Sequence, residues 1–152
     1  MAVSVIGFSE RREGDKWVLV ERGVMDWHAM TYSAFLAGVR NASMVPPLAE
    51  PRGAPPDMSE TAAAEFAEEG SNAVAPTWLS VEELLAFDYD KRFEDRRVTR
   101  RAPAGYMDHA VTGAPGDGSV ITYREFLGTA YFEELQRLSR SGAERVVLWF
   151  SL

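Results

Sequence analysis

The sequence predicts an α+β fold: a single globular domain over residues 1–152, in which a mixed or mainly antiparallel sheet carries a long helix from the C-terminal half of the chain. Strand-like apolar segments stand near the start of the chain, at 3–8 and 16–21, and at its end, at 144–152. Segments with helical spacing lie between them, the longest at 123–140. With 152 residues, 46% of them hydrophobic, the chain is long enough to bury a core without disulfide or metal support.

The first two strands are expected to form a hairpin, because a polar turn containing Gly14 separates them. Residues 31–41 then predict a helix. Its apolar residues recur at i, i+3, i+4 and i+7 and share one face: Tyr32, Phe35, Leu36 and Val39. Arg40 would lie at the edge of that face, where its guanidinium can reach a cleft. Asn41 would close the helix.

A loop is predicted over 42–57, because its five prolines (46, 47, 51, 55 and 56) exclude a helix or a central strand. Within it Arg52 stands between Pro51 and Gly53. This local geometry suits the presentation of a side chain and backbone amides to an anion. An ordinary surface turn accounts for the same residues equally well.

Two short helices are predicted next. Ser59 caps one at 60–69, and Ser80 with Glu83 forms a capping box that begins another. Residues 71–77, between the two helices, are interpreted as a loop.

Five arginines cluster around Phe93 and Val98: Arg92, Arg96, Arg97, Arg100 and Arg101. If 96–101 is a strand, arginines occupy both of its faces, and one face could meet an anionic ligand or an acidic partner. The alternative is an exposed edge strand that is protected by its charge.

A loop at 103–118 leads to the long helix, which Thr122 and Glu125 begin with a second capping box. Gly128 lies inside this predicted helix, at a cost of about 1 kcal/mol. The last strand has unbroken apolar residues over 146–150, which is typical of a strand covered on both faces in the middle of a sheet.

The composition of the chain limits its possible functions. The net charge of −7 disfavours nucleic-acid binding, which depends on a basic surface. Zero cysteines exclude disulfides, thiolate nucleophiles and zinc–thiolate sites. No signal peptide and no apolar run of membrane-spanning length can be identified, so we expect a cytoplasmic protein without a membrane partner.

Catalytic and metal-binding groups are sparse in the sequence. His109 and His28, the latter near Asp26, are the candidate general bases, but no serine stands in a nucleophile-elbow context. Asp88 and Asp90 alone would make a weak cation site. We therefore assign no catalytic residue, no metal ligand and no cofactor.

Three segments together resemble a group of small phage and prophage proteins. They are Y-x-x-F-L-A-x-V-R-N at 32–41, P-R-G-x-P-x-D-x-S at 51–59 and W-L-S-x-x-E-L at 78–84. The resemblance implies a setting in the cytoplasm of a phage host and implies no mechanism. The chain departs from the pattern at Thr31, where the family has an acidic residue, and at 72–77, where the family often has a histidine-containing segment.

From these residues we expect a pocket for a nucleotide-derived small molecule, provided that the loops converge. Arginines suit phosphates, an asparagine amide suits a base edge and an indole suits stacking. The candidate ligand-binding residues are Tyr32, Arg40, Asn41, Arg52, Gly53 and Trp78. The phage-like setting favours a non-catalytic sponge that sequesters a bacterial immune signal, and analogy with such proteins implies a homo-oligomer.

Two other classes remain open. One is an inhibitor that blocks a host protein through its acidic surface. The other is a nucleotide-processing hydrolase that uses His109 or His28 as its base.

Overall fold

The computed structural model of the protein describes residues 3–26 and 30–152, so His28 lies outside the described residues. In these residues the elements follow one another in this order: β1 (Ser4–Glu13), β2 (Lys16–Arg22), α1 (Met30–Ala37), α2 (Glu60–Glu69), β3 (Val74–Ser80), α3 (Val81–Ala86), β4 (Arg92–Asp95), β5 (Arg97–Arg100), β6 (His109–Thr112), β7 (Ser119–Thr122), α4 (Tyr123–Leu127), α5 (Thr129–Arg140) and β8 (Arg145–Ser151).

The central feature is a four-stranded sheet with the strand order β2-β1-β8-β3. All of its neighbouring strands are antiparallel. The hairpin of β1 and β2 is as predicted, although β1 extends to Glu13 and leaves a tighter turn at Gly14. Strand β8 lies inside the sheet, and residues 146–150 are all buried. The antiparallel sheet and the interior position of the last strand are therefore confirmed.

Helices cover both faces of this sheet. On one face α1, α3, α4 and α5 enclose the larger core, which includes Phe35, Tyr131 and Leu148. On the other face α2 covers a smaller cluster in which Trp149 lies 5.2 Å from the ring centroids of both Phe8 and Phe66. Strand β8 and the middle of β1 are buried on both sides because each face of the sheet has its own helical layer.

Helix α1 is shorter than predicted and is buried on all sides, since six of its eight residues are inaccessible to solvent. Gly38, at φ 70°, ends it, and its N–H donates to the Ala34 carbonyl at 2.9 Å. Arg40 and Asn41 therefore lie in the following loop. The predictions that Asn41 closes the helix and that Arg40 borders a helical face are wrong.

The predicted long helix is broken at Gly128, and this correction changes the packing. Gly128 has φ 82° and ψ 171°, a conformation that side chains exclude almost completely. It ends α4 and precedes α5, which at 12 residues is the longest helix in the described chain. The capping box of Thr122 and Glu125 is present at the start of α4, as predicted.

Capping motifs are found where the sequence predicted them. The Ser59 side chain accepts the Ala62 N–H at the start of α2. Ser80 and Glu83 bond each other's backbone amides at 3.0 and 2.7 Å at the start of α3. The prediction of a loop over 71–77 is wrong, because β3 begins at Val74 and forms the edge of the sheet.

The strand considered over 96–101 is present as β5, at Arg97–Arg100, and a second strand, β4, precedes it at Arg92–Asp95. Strand β4 pairs with β7, and β5 pairs with β6, as two separate ribbons. The predicted loop at 103–118 accordingly contains β6. All four residues of β5 are exposed. Among the described helices, none combines the length and the apolar character needed to cross a bilayer.

Candidate functional site

The six residues predicted to bind a ligand occupy three separate places. Arg52, Gly53 and Trp78 lie together beside β3. Arg40 and Asn41 line a groove next to the β5–β6 ribbon, and the sixth residue, Tyr32, is in the core.

Arg52 fastens the proline-rich loop to the sheet and to α3. Its Nη1 and Nη2 donate to the two carboxylate oxygens of Glu83 at 2.8 and 2.6 Å, and Nη1 also donates to the Trp78 carbonyl at 3.1 Å. The guanidinium carbon lies 4.8 Å from the centroid of the Trp78 ring. The Gly53 N–H donates to the Pro76 carbonyl at 2.9 Å. The hydrogen-bonding groups of this cluster thus bond other groups of the protein.

Tyr32 belongs to a buried group of aromatic rings. It is 4% exposed and meets the Tyr131 ring edge-on at 5.4 Å. Burial, assisted by the nearby Glu134 carboxylate, raises the pKa of Tyr32 to about 12. Its role in the structure is one of packing.

The groove beside Arg40 has a volume of about 540 Å³, which is the size of a small-molecule site. One wall is the loop after α1, which carries Arg40 and Asn41. The other wall comes from the β5–β6 ribbon, with Asp108, His109 and Thr112. These two walls come from segments about 70 residues apart in the chain, as the bond between Thr112 and Ala42 shows.

Asn41 holds the turn that presents Arg40. Its side-chain Nδ2 donates to the Val45 carbonyl at 2.7 Å, and its Oδ1 accepts the Val45 N–H at 3.1 Å. Arg40 itself has φ 52°, in the left-handed region that costs energy for a residue with a side chain. The strained backbone persists because Asn41 closes the turn around it.

The ribbon is fixed to the same loop at its base. The Thr112 hydroxyl donates to the Ala42 carbonyl at 2.8 Å, and the Arg96 N–H donates to the Ser43 carbonyl at 3.0 Å. The Arg96 side chain in turn donates to the Gly113 carbonyl at 3.1 and 2.9 Å. The two walls of the groove are therefore held at a fixed separation.

The polar groups of the groove are unequally engaged. Within residues 3–26 and 30–152, Arg40 forms no ion pair, and neither does Arg100, which lies opposite His109 in the ribbon. The Asp108 carboxylate accepts the Ala102 N–H at 2.7 Å through Oδ1. An anion in the groove would meet the unpaired Arg40 on one wall and the His109 imidazole on the other, with the Asp108 carboxylate as an opposing charge.

Comparison of the chain with models of known protein families, with curated proteins and with solved structures finds no match. In the part of the chain that the structure describes, no group of three or more histidine, aspartate or glutamate side chains is placed to hold a metal ion.

Sequence reasoning considered His109 as a base and did not place it near Arg40, and it did not identify Thr112 as part of the site. It also missed a buried ion pair between Glu10 and Arg145. No local pattern marks these residues, because each becomes significant only through contacts with distant parts of the chain.

Proposed function

We propose that the protein binds a nucleotide-derived, phosphate-bearing small molecule in the groove between the loop that follows α1 and the β5–β6 ribbon. The observation that carries this proposal is Arg40, which lines the groove and forms no ion pair within the described residues. Bidentate donation to a phosphate is what such an arginine does best.

The groove also supplies groups for the remainder of such a ligand. Asn41 uses one N–H and one lone pair of its carboxamide on Val45 and retains one N–H for a ligand acceptor. His109 offers an imidazole, and Met30 adds an apolar contact. Arg52 and Trp78 were predicted from the sequence to line the pocket. We assign them instead to the stabilisation of the fold.

Binding without conversion suits the geometry better than catalysis. His109 is the candidate base, and the carboxylate next to it in sequence, Asp108, accepts the Ala102 N–H. Within the described residues no hydrogen bond joins the Asp108 carboxylate to the His109 imidazole, so this pair does not form the carboxylate-oriented general base on which many hydrolases depend. A sponge that sequesters a nucleotide signal in the cytoplasm of a phage host requires only affinity, and we propose that role.

A thermal-shift screen of the purified protein tests the proposal. The panel comprises nucleotides, cyclic dinucleotides and ADP-ribose derivatives, and each hit is then released and chromatographed. A ligand at 100 times its dissociation constant stabilises the fold by about 2.7 kcal/mol, a shift that is easily measured. We expect at least one hit and its recovery unchanged.

Two results would contradict the proposal. If no member of the panel shifts the thermal unfolding transition, the proposal of a nucleotide ligand is wrong, and binding to a protein partner becomes the leading explanation. If a hit returns chemically altered, the protein is an enzyme and the sponge role is wrong.

A further inference from the structure

The β5–β6 ribbon, whose residues 108–112 form one wall of the Arg40 groove, resembles a docking element at its tip. We define the arm as residues 97–112, which comprise β5, β6 and the turn between them. Its strands pair with each other and not with the central sheet. Tyr106 and Met107 at its tip are 76% and 86% exposed, the highest values of any large apolar side chain in the described residues. Adjacent apolar side chains exposed at the tip of a projecting element are one feature of an interaction site.

The tip of the arm is rigidly built. The Tyr106 N–H donates to the Pro103 carbonyl at 3.1 Å across a turn in which Gly105 adopts φ 91°. The Asp108 carboxylate accepts the Ala102 N–H and closes the base of this turn. These two bonds fix the backbone that carries Tyr106 and Met107, so the entropy lost on binding is mainly that of their exposed side chains.

The arm is basic in an acidic protein. It contains Arg97, Arg100 and Arg101 against one acidic residue, Asp108, and so carries a formal charge of +2, with histidine neutral. Since the whole chain carries −7, the remaining residues carry −9. Arg100 and Arg101 form no ion pair within the described residues. The acidic surface of a second copy of the same chain is therefore complementary in charge to the arm.

A complementary groove exists on that surface. It lies beside α3, has a volume of about 720 Å³, and we call it the α3 groove. Its apolar lining includes Val81, Leu85 and Ala143, and Leu85 is 48% exposed. Glu82 and Glu144 line the same groove, and Glu82 forms no ion pair within the described chain. An apolar lining with carboxylates is the counterpart of an aromatic tip with arginines behind it.

We propose that the arm of one copy docks in the α3 groove of a second copy. Tyr106 and Met107 cover Leu85, and the unpaired arginines of the arm meet Glu82. Because the arm and the groove are different patches, the contact is head-to-tail and builds a ring or a longer chain of subunits. This inference does not depend on the ligand proposed for the Arg40 groove.

Complementation between two variants tests the contact. The arm variant is Tyr106→Ser with Met107→Ser, and the groove variant is Leu85→Arg; all three side chains are exposed, so both variants should fold. Sedimentation velocity should show an oligomer for the wild type and a monomer for each variant alone. An equimolar mixture of the two variants should form a 1:1 heterodimer and nothing larger, because it contains one intact arm and one intact groove. Val120→Ser removes an exposed valine from β7, outside both surfaces, and should leave the oligomer unchanged.

The proposal is overturned by a wild type that is monomeric at the highest concentration the protein tolerates. It is equally overturned if either variant alone remains oligomeric, or if the mixed variants fail to associate. Raising the ionic strength should shift the wild type towards monomer, since unpaired charges contribute to the contact.

Discussion

Arg52 and Glu83 join the proline-rich loop to the first turn of α3 through two parallel hydrogen bonds of 2.8 and 2.6 Å. The Glu83 oxygen that accepts the longer of these also accepts the Ser80 N–H at 2.7 Å. One carboxylate thus completes the capping box and anchors the loop. The loop and the start of the helix therefore stabilise each other.

Replacement of Arg52 should lower stability and not affect ligand binding. We expect Arg52→Ala to reduce the free energy of unfolding at neutral pH by about 1–2 kcal/mol, since it removes a partly buried bidentate pair and a cation–π contact. Urea denaturation measures the loss. Arg92→Ala, at an exposed arginine without an ion pair in the described residues, is the matched control and should change stability by less than about 0.5 kcal/mol.

The same pair predicts a pH dependence. The hydrogen bond from Arg52 holds the pKa of Glu83 below its usual value of 4.5. A carboxylate with a lowered pKa contributes its full stabilisation above the unfolded value and loses it as the pH falls through the folded value. The difference in stability between wild type and Arg52→Ala should therefore shrink below about pH 4.5. A difference that persists unchanged in acid would show that Arg52 acts through packing alone.

A buried ion pair between the two central strands, β1 and β8, should contribute strongly to the stability of the sheet. Glu10 is 0% exposed; its Oε1 accepts from Arg145 Nε at 2.7 Å, and its Oε2 accepts the Ser59 N–H at 2.7 Å. Arg145 also donates to Asp57 and lies 3.9 Å from the centroid of the Trp17 ring. Arg145→Leu leaves a buried carboxylate without its cation and should cost about 3–5 kcal/mol in chemical denaturation.

The Arg145→Leu experiment has two matched controls. Combining Arg145→Leu with Glu10→Leu removes both charges and should recover much of the loss, because no buried charge is left unpaired. Arg22→Ala breaks the exposed pair with Glu65 and should cost less than about 1 kcal/mol. If Arg145→Leu were as mild as Arg22→Ala, the network would contribute little to the fold.

Structural features whose sequence signals lie within a few residues of one another were predicted correctly. Ser59 and the capping box of Ser80 with Glu83 are where the sequence placed them, because a cap depends on an amide two or three residues away. The interior position of β8 followed from its unbroken apolar residues. Caps and buried strands are thus readable from local sequence alone.

Features that depend on distant partners were not readable. The Arg52 side chain finds Glu83, 31 residues further along the chain, and no pattern in between marks that pairing. The helical spacing across Gly128 also continued without interruption, although the backbone there adopts a conformation that ends one helix and begins another. A periodic pattern reports which side chains are buried and does not report whether the helix that carries them is continuous.

The buried tyrosines should make the fold sensitive to alkali. The Tyr89 hydroxyl donates to the Leu84 carbonyl at 2.6 Å, so the Tyr131 hydroxyl, 2.7 Å away, donates to Tyr89. Burial raises the pKa of Tyr89 to about 12, and burial together with the neighbouring tyrosines raises the pKa of Tyr131 well above its usual value.

An acid whose pKa is raised on folding stabilises fully below its unfolded value, here 10, and this stabilisation is lost as the pH rises through the folded value. We expect the urea midpoint to fall steeply from pH 10 to about 12. The fall should be shallower in Tyr131→Phe, which has one buried phenol fewer, and unchanged in Tyr106→Phe, whose ring is exposed. A flat midpoint over this range would contradict the burial of the phenols.

The most direct test of the central claim is a binding titration of the strongest hit from the nucleotide screen against wild type, Arg40→Ala, Arg52→Ala and Arg92→Ala. It is carried out at a temperature at which all four proteins are folded. Loss of a charge-assisted bond of at least 1.4 kcal/mol should weaken binding to Arg40→Ala by about tenfold or more. The other two variants should bind as the wild type does. Wild-type affinity in Arg40→Ala, or an equal loss in folded Arg52→Ala, would contradict the assignment of the site to the groove beside Arg40.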